Sequence, residues 1–128
     1  MKNYDPEAAP DPAEWLQLDE QIRIDLVERH HRATRIKLPN LTLHTLFHVI
    51  VENQIAEGLE PVLRAMKRLA NEGLSRHDAL HAVASVVTDH LYEAMHTKDA
   101  AFAKAAQARY NAAIEWLTVK EWRRKHEP

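Results

Sequence analysis

Nine of the 128 residues are histidines, and they are dispersed rather than run together. Four of them form two His-x-x-x-His pairs, His44/His48 and His77/His81, and Glu52 continues the first row by four more residues. Residues four apart on a helix stack on one face. Each pair therefore presents two imidazoles side by side, with a carboxylate in step with the first. Imidazole and carboxylate together hold divalent ions, with zinc, iron and nickel the leading candidates and copper(II) and manganese also admitted; the donor set does not choose sharply among them. At this histidine content chance supplies roughly 0.6 pairs of that spacing, so spacing alone says little.

Placement says more. The stripe of the His44 helix is Leu43, Leu46, Phe47, Ile50 and Gln54; on a helical wheel Leu43, Phe47, Ile50 and Gln54 centre about 280° round from His44, and Leu80, Val83, Val87 and Leu91 about 290° round from His77. Both pairs sit on the same flank of their stripes and in the first two turns of their helices. With one antiparallel helix between them, the two helices are expected to run parallel and to bring four imidazoles into one layer. A helix N-terminus disfavours imidazolium and so favours the neutral ring that ligates metal.

These expectations give a metal site of His44, His48, His77 and His81, with Glu52 as a further ligand or as a base behind them. If such a site kept an open position, a bound water could serve hydrolytic or redox chemistry. No reaction is legible, so whether the chain is an enzyme is left open. The competing reading is a metal-free interaction module. Its histidines form a buried hydrogen-bond cluster, in one version across a homodimer interface anchored by Trp116 and Trp122.

Weaker candidates are Glu28/His31 and Glu93/His96, which have Glu-x-x-His spacing. Both lie late in their helices and read as solvated faces. Gln54, inside an apolar stripe, reads as a buried amide bonded to a neighbouring helix end or to a histidine. Asn53 reads as exposed, and Asp78 as a cap.

The elements that carry these residues are all helical. Ala, Leu, Glu and Lys/Arg favour helix, and only two glycines are present. Asp11-Pro12-Ala13-Glu14 has the pattern of a helix start. The helix it opens carries Trp15, Leu18, Ile22 and Leu26, with a kink expected near Asp19, and frays at His30-His31-Arg32 before Pro39 ends the connection. A second helix runs from Asn40 or Thr42 to Gly58. A third has Pro61 in its first turn, Val62, Leu63, Met66, Leu69 and Ala70 inward, and Gly73 at its end. Ser75 to Asp78 caps a fourth, whose stripe continues to Ala94. Thr97 or Asp99 caps a fifth, with Phe102, Ala106, Tyr110, Ala113 and Leu117 at helical spacing. The expected fold is an all-α bundle of about five helices with short connections. Residues 1–10 form a flexible lead, or one ordered only by contact, and residues 11–128 a single domain.

Composition excludes several classes. A net charge of −2 gives no bulk attraction to nucleic acid or anionic membrane. The basic end, Trp122-Arg123-Arg124-Lys125-His126, suits a helix C-terminus. The turn between the third and fourth helices has a helix-turn-helix outline but few basic residues beyond Arg76. No apolar run approaches a membrane span, and the acidic, proline-rich start is unlike a signal peptide, so a cytoplasmic protein is expected. With no cysteine, disulfides and thiolate sites are excluded.

Several strings resemble a family of small bacterial, all-helical proteins of unknown function. They are Trp15-Leu16-x-Leu18-Asp19-Glu20, Leu38-Pro39-Asn40, His44-x-x-x-His48-Val49-x-Val51 with ENQIA following, and EGLSRHDALHA from Glu72 to Ala82. The resemblance covers most of the chain and implies a bacterial, cytoplasmic, helical protein without supplying a reaction. A looser similarity is to hemerythrin-like bundles, through His48/Glu52 and His77/His81. The chain departs from that pattern: it has no His-x-x-x-x-Asp on a last helix, and only His30 or His31 stands in for a first-helix histidine. The similarity thus implies ligands on bundle helices, not a bridged di-iron centre.

Overall fold

The computed structural model describes residues 1–34 and 40–126. Pro39, expected to end the first connection, lies outside them. All regular structure among the described residues is helical: α1 (Pro12–Gln17), α2 (Glu20–Ala33), α3 (Leu41–Ala56), α4 (Glu60–Asn71), α5 (Arg76–His96), α6 (Ala100–Lys104), α7 (Ala106–Trp116) and α8 (Val119–His126). The all-α fold is as expected, but five helices have become eight segments. The first is cut at Leu18–Asp19, where both residues turn extended. The last is cut at Ala105 and at Leu117.

The caps are those the sequence specifies. Asp11 accepts from the Glu14 amide, Asn40 from Leu43, Ser75 from Asp78, and Asp99 from Ala101 and Phe102. Gly58 (φ 75°) and Gly73 (φ 103°) take the left-handed conformation just past α3 and α4. The following amides close back on helix carbonyls, Leu59 on Gln54 at 3.0 Å and Leu74 on Leu69 at 3.1 Å.

Helix α3 is the axis of the fold, packing against α1, α2 and α5. Two apolar clusters flank it. Val49 belongs to one, with Tyr4, Trp15, Leu26 and Val27. Val51 belongs to the other, with Val62, Leu69, Leu80, Val83, Tyr110 and Ile114. Between these two valines on the wheel runs a buried polar row, Thr45, His48 and Glu52.

This corrects the expected stripe. Leu43 and Leu46 face outward, and the buried face lies about 150° round from the predicted one. Ile22 also points out, although Leu26 one turn on is buried; the buried face of α2 runs through Leu26, Val27 and His31. Beyond Val87 the expected α5 stripe is exposed, as are Leu63, Phe102 and Ala113. Trp122 packs against the larger cluster, whereas Trp116 is exposed.

The expectation that the two histidine helices run parallel is also overturned. His81 lies beside His44, His77 beside His48, and Arg76 on Glu52, so α3 and α5 meet in reverse register. The parallel expectation took α4 as an antiparallel strut between them. Instead α4 packs on α5 and α7 and touches α3 lightly.

Candidate metal centre

The polar row of α3 faces a second polar row on α5 and the end of α2. His48 is the hub, at 1 % exposure. Its ring centroid lies 4.9 Å from that of His31, 5.2 Å from His44, 5.1 Å from His77 and 5.1 Å from His81. His30 lies at the margin, edge-on to His31 and His77. Two triads could hold an ion, each with its ligand atoms within 4.8 Å of one another: His44/His48/His81 and His31/His48/His77. All four histidines singled out by spacing are thus brought together.

His31 was misread. Its solvated-face expectation fails, since it is 5 % exposed. The signal was Val27, four residues earlier and fully buried, whose face His31 continues. Glu93 and His96 are exposed, as expected.

Glu52 belongs to neither triad. It is 2 % exposed, and Arg76 grips it at both oxygens, Nη2 on Oε1 and Nη1 on Oε2, each at 2.8 Å. Tyr4 donates its hydroxyl to Oε2. The same hydroxyl oxygen lies 3.3 Å from His48 Nδ1. With its proton directed to the carboxylate, Tyr4 accepts there, so the His48 proton sits on Nδ1 and the lone pair on Nε2. Glu52 therefore acts on His48 through Tyr4, in the manner of carboxylates that orient ligating histidines. His48 Nε2 in turn lies 3.1 Å from His81 Nε2; without an ion, His81 carries the bridging proton and donates it to His48.

Tyr4 comes from the lead, which is ordered by contact. The Pro6 carbonyl accepts from Arg76 at 2.9 Å, and Glu7 accepts from the His77 amide at 2.7 Å, closing the N-terminus of α5. Sequence spacing had no means of placing Tyr4 some forty residues from its partners.

The electrostatics favour neutral rings. Burial first, then the neighbouring imidazoles, lower His48 to about 2 and His31 to about 4. His81 falls to about 4 for the same reasons. Burial also lowers His44 and His77. Burial and the Glu52 charge push the Tyr4 hydroxyl well above the ordinary phenol range, so it keeps its proton. Desolvation works against the Arg76 charge, but its bonds to Glu52 more than offset this.

Two ring nitrogens in the cluster, His31 Nε2 and His77 Nε2, are buried without a hydrogen-bond partner. The other nitrogen of His31 is held by Thr45 Oγ1 at 3.3 Å. His44, His48 and His81 line one side of an open cleft of about 360 Å³, walled by Phe47, Ala84 and Trp122 with Thr88 and Asp89 at its rim. Larger hollows lie around Trp116 (about 530 Å³) and Gly58 (about 650 Å³). Neither contains a triad of convergent ligand atoms among the described residues.

Gln54 accepts from the Tyr110 hydroxyl at 2.7 Å, a side-chain partner rather than the helix end or histidine expected. Asn53, expected to be exposed, is half-buried and accepts from Trp15 Nε1 at 2.9 Å and from Arg23 at 3.0 Å.

No protein-family model, curated protein or solved structure matches the chain. Among the described residues no helix is long and apolar enough to cross a membrane.

Proposed function

We propose that the protein binds a divalent metal ion at the histidine cluster, with His44, His48 and His81 as ligands facing the cleft and His77 alongside. The observation that carries this is the convergence of three imidazole nitrogens within 4.8 Å at the edge of an open space. Such a site has an outward position that protein does not fill, where a water or a small ligand could bind. Neutral rings, a fixed His48 tautomer and a carboxylate one hydrogen bond behind it all favour ligation. Glu52 takes the supporting role, since its oxygens are occupied. Zinc, iron and nickel suit imidazole donors.

The test is elemental analysis of protein purified without nickel resin, before and after dialysis against each ion. We expect stoichiometric metal, and its loss in the His48→Ala, His81→Ala double variant with helix content retained by circular dichroism. Metal-free wild type, with a melting temperature indifferent to chelator, would sink the reading.

A metal-free interaction module has one observation in its favour. Tyr92, Met95 and Trp116, on α5 and α7, are 64 %, 80 % and 80 % exposed, large side chains that a partner could cover. Sedimentation over a concentration series distinguishes it: a homodimer dissociated by Trp116→Ser, together with absent metal, would favour that reading.

A further inference from the structure

The two triads share His48 but differ in their surroundings. His44 and His81 line the open cleft with His48, whereas His31 and His77 do not. The N-terminal lead closes over the inner triad instead. Tyr4 meets His48, the Pro6 carbonyl accepts from Arg76, and the Glu7 carboxylate accepts from the His77 amide. His30 stands edge-on to Tyr4, His31 and His77.

We propose that His31, His48 and His77 form a second ion position, closed in beneath the lead, which takes a divalent ion in exchange with the position at the cleft. This rests on the metal-binding reading above and extends it from one position to two that share a ligand. The observation that points to a ligand here is a pair of stranded nitrogens. The Nε2 atoms of His31 and His77 are buried without a hydrogen-bond partner, although buried polar atoms are normally paired. His31 is 5 % exposed and tied at Nδ1 to Thr45, so Nε2 is the nitrogen left to ligate. An ion in this triad engages both histidines.

The geometry allows it. The triad offers one ligand atom from each ring, all within 4.8 Å of one another. Nitrogens bound at about 2.1 Å to one ion lie at most about 4.2 Å apart, so the rings need to close by no more than about 0.6 Å. Three imidazole donors suit zinc and its neighbours in the first transition row.

The two positions exclude one another. Tyr4 directs its proton to Glu52 and accepts from His48 Nδ1, which leaves His48 a single lone pair, on Nε2. That lone pair binds one ion, at the cleft or inside. An ion at the cleft leaves the Nε2 atoms of His31 and His77 stranded, and an ion inside does not, so the inner position is the tighter one. The cleft position is the one an incoming ion meets first. The inner position then holds the ion away from solvent.

Zinc is the probe, added to metal-free full-length protein. We expect saturation at one ion per chain, with the ring-nitrogen NMR signals of His31, His48 and His77 moved to those of bound imidazole. The His44→Gln, His81→Gln double variant, helical by circular dichroism, should still take up one zinc ion. The His31→Gln, His77→Gln double variant should bind zinc at least about tenfold more weakly than wild type. Two ions per chain, His31 and His77 signals unmoved at saturation, or no zinc uptake by a folded His44→Gln, His81→Gln variant would each overturn this inference and leave the cleft site standing. Wild type that takes up no zinc would overturn both. The wild-type stoichiometry and spectrum decide the matter even where a variant fails to fold.

Discussion

Tyr4→Phe removes one oxygen from the interior and little else. Tyr4 is 4 % exposed, and the phenyl ring retains its packing on Trp15 (5.9 Å between centroids) and His30 (6.0 Å). Two hydrogen bonds go, the donation to Glu52 and the acceptance from His48 Nδ1–H. Glu52 keeps both Arg76 bonds at 2.8 Å, so its charge stays compensated. His48 is left with a buried N–H that has lost its acceptor. A hydrogen bond to a charged group contributes about 1.5–3 kcal/mol, and a stranded buried donor costs about 1–3 kcal/mol. These overlap, so the expected loss for the metal-free protein is about 3 kcal/mol, read from urea unfolding. Metal affinity should fall by about 10- to 100-fold, the usual effect of removing a group that orients a ligating histidine, measured by competition with a chelator. A phenylalanine variant with wild-type affinity would refute the idea that Tyr4 fixes the His48 tautomer, whatever its stability.

Two further outcomes follow from the buried imidazoles. Folded His31 and His48 titrate well below the ordinary 6.5, at about 4 and about 2. Between those values and 6.5 the unfolded chain binds more protons than the folded one. Metal-free stability should therefore be full above about pH 6.5 and fall as pH drops below it, by about 1.4 kcal/mol per unit for each histidine; urea midpoints unchanged between about pH 7 and pH 5 would contradict this. His77→Leu should stabilise the metal-free protein by about 1 kcal/mol, because it removes a buried nitrogen without a partner, while weakening metal binding in the same chelator assay. A destabilised metal-free variant would show that His77 Nε2 is satisfied in solution.

The local signals in the sequence were reliable where the physics is local. Asp11, Asn40, Ser75 and Asp99 cap the helices they precede, and Gly58 and Gly73 end theirs. The break at Leu18–Asp19 falls where Asp19 marks a kink, whereas those at Ala105 and Leu117 were less legible, because no proline or glycine marks them. The spacing of His44, His48, His77 and His81 located the cluster, but the route assumed for their meeting, parallel helices with matched N-terminal ends, was not the one taken. The direction of α5 against α3 is a matter of long-range packing, which periodicity does not carry. The apolar stripe of α3 misled for a related reason. Periodicity finds the buried face when that face is apolar, and here it holds Thr45, His48 and Glu52.

That inverted face bears on function as well as on prediction. A polar row between two apolar clusters is destabilising unless each member is satisfied. Thr45 is met by His31, and Glu52 by Tyr4 and Arg76. Breaking the Glu52–Arg76 pair would cost about 3–5 kcal/mol, yet an apolar replacement of comparable volume often does as well or better for stability alone. The outer imidazoles are satisfied less fully still, with His31 Nε2 and His77 Nε2 unpaired. Stability therefore gives little reason for five imidazoles around one buried lone pair. Departures from local consistency of this kind concentrate at functional sites, and an ion in the His31/His48/His77 triad would engage both histidines whose Nε2 atoms are unpaired.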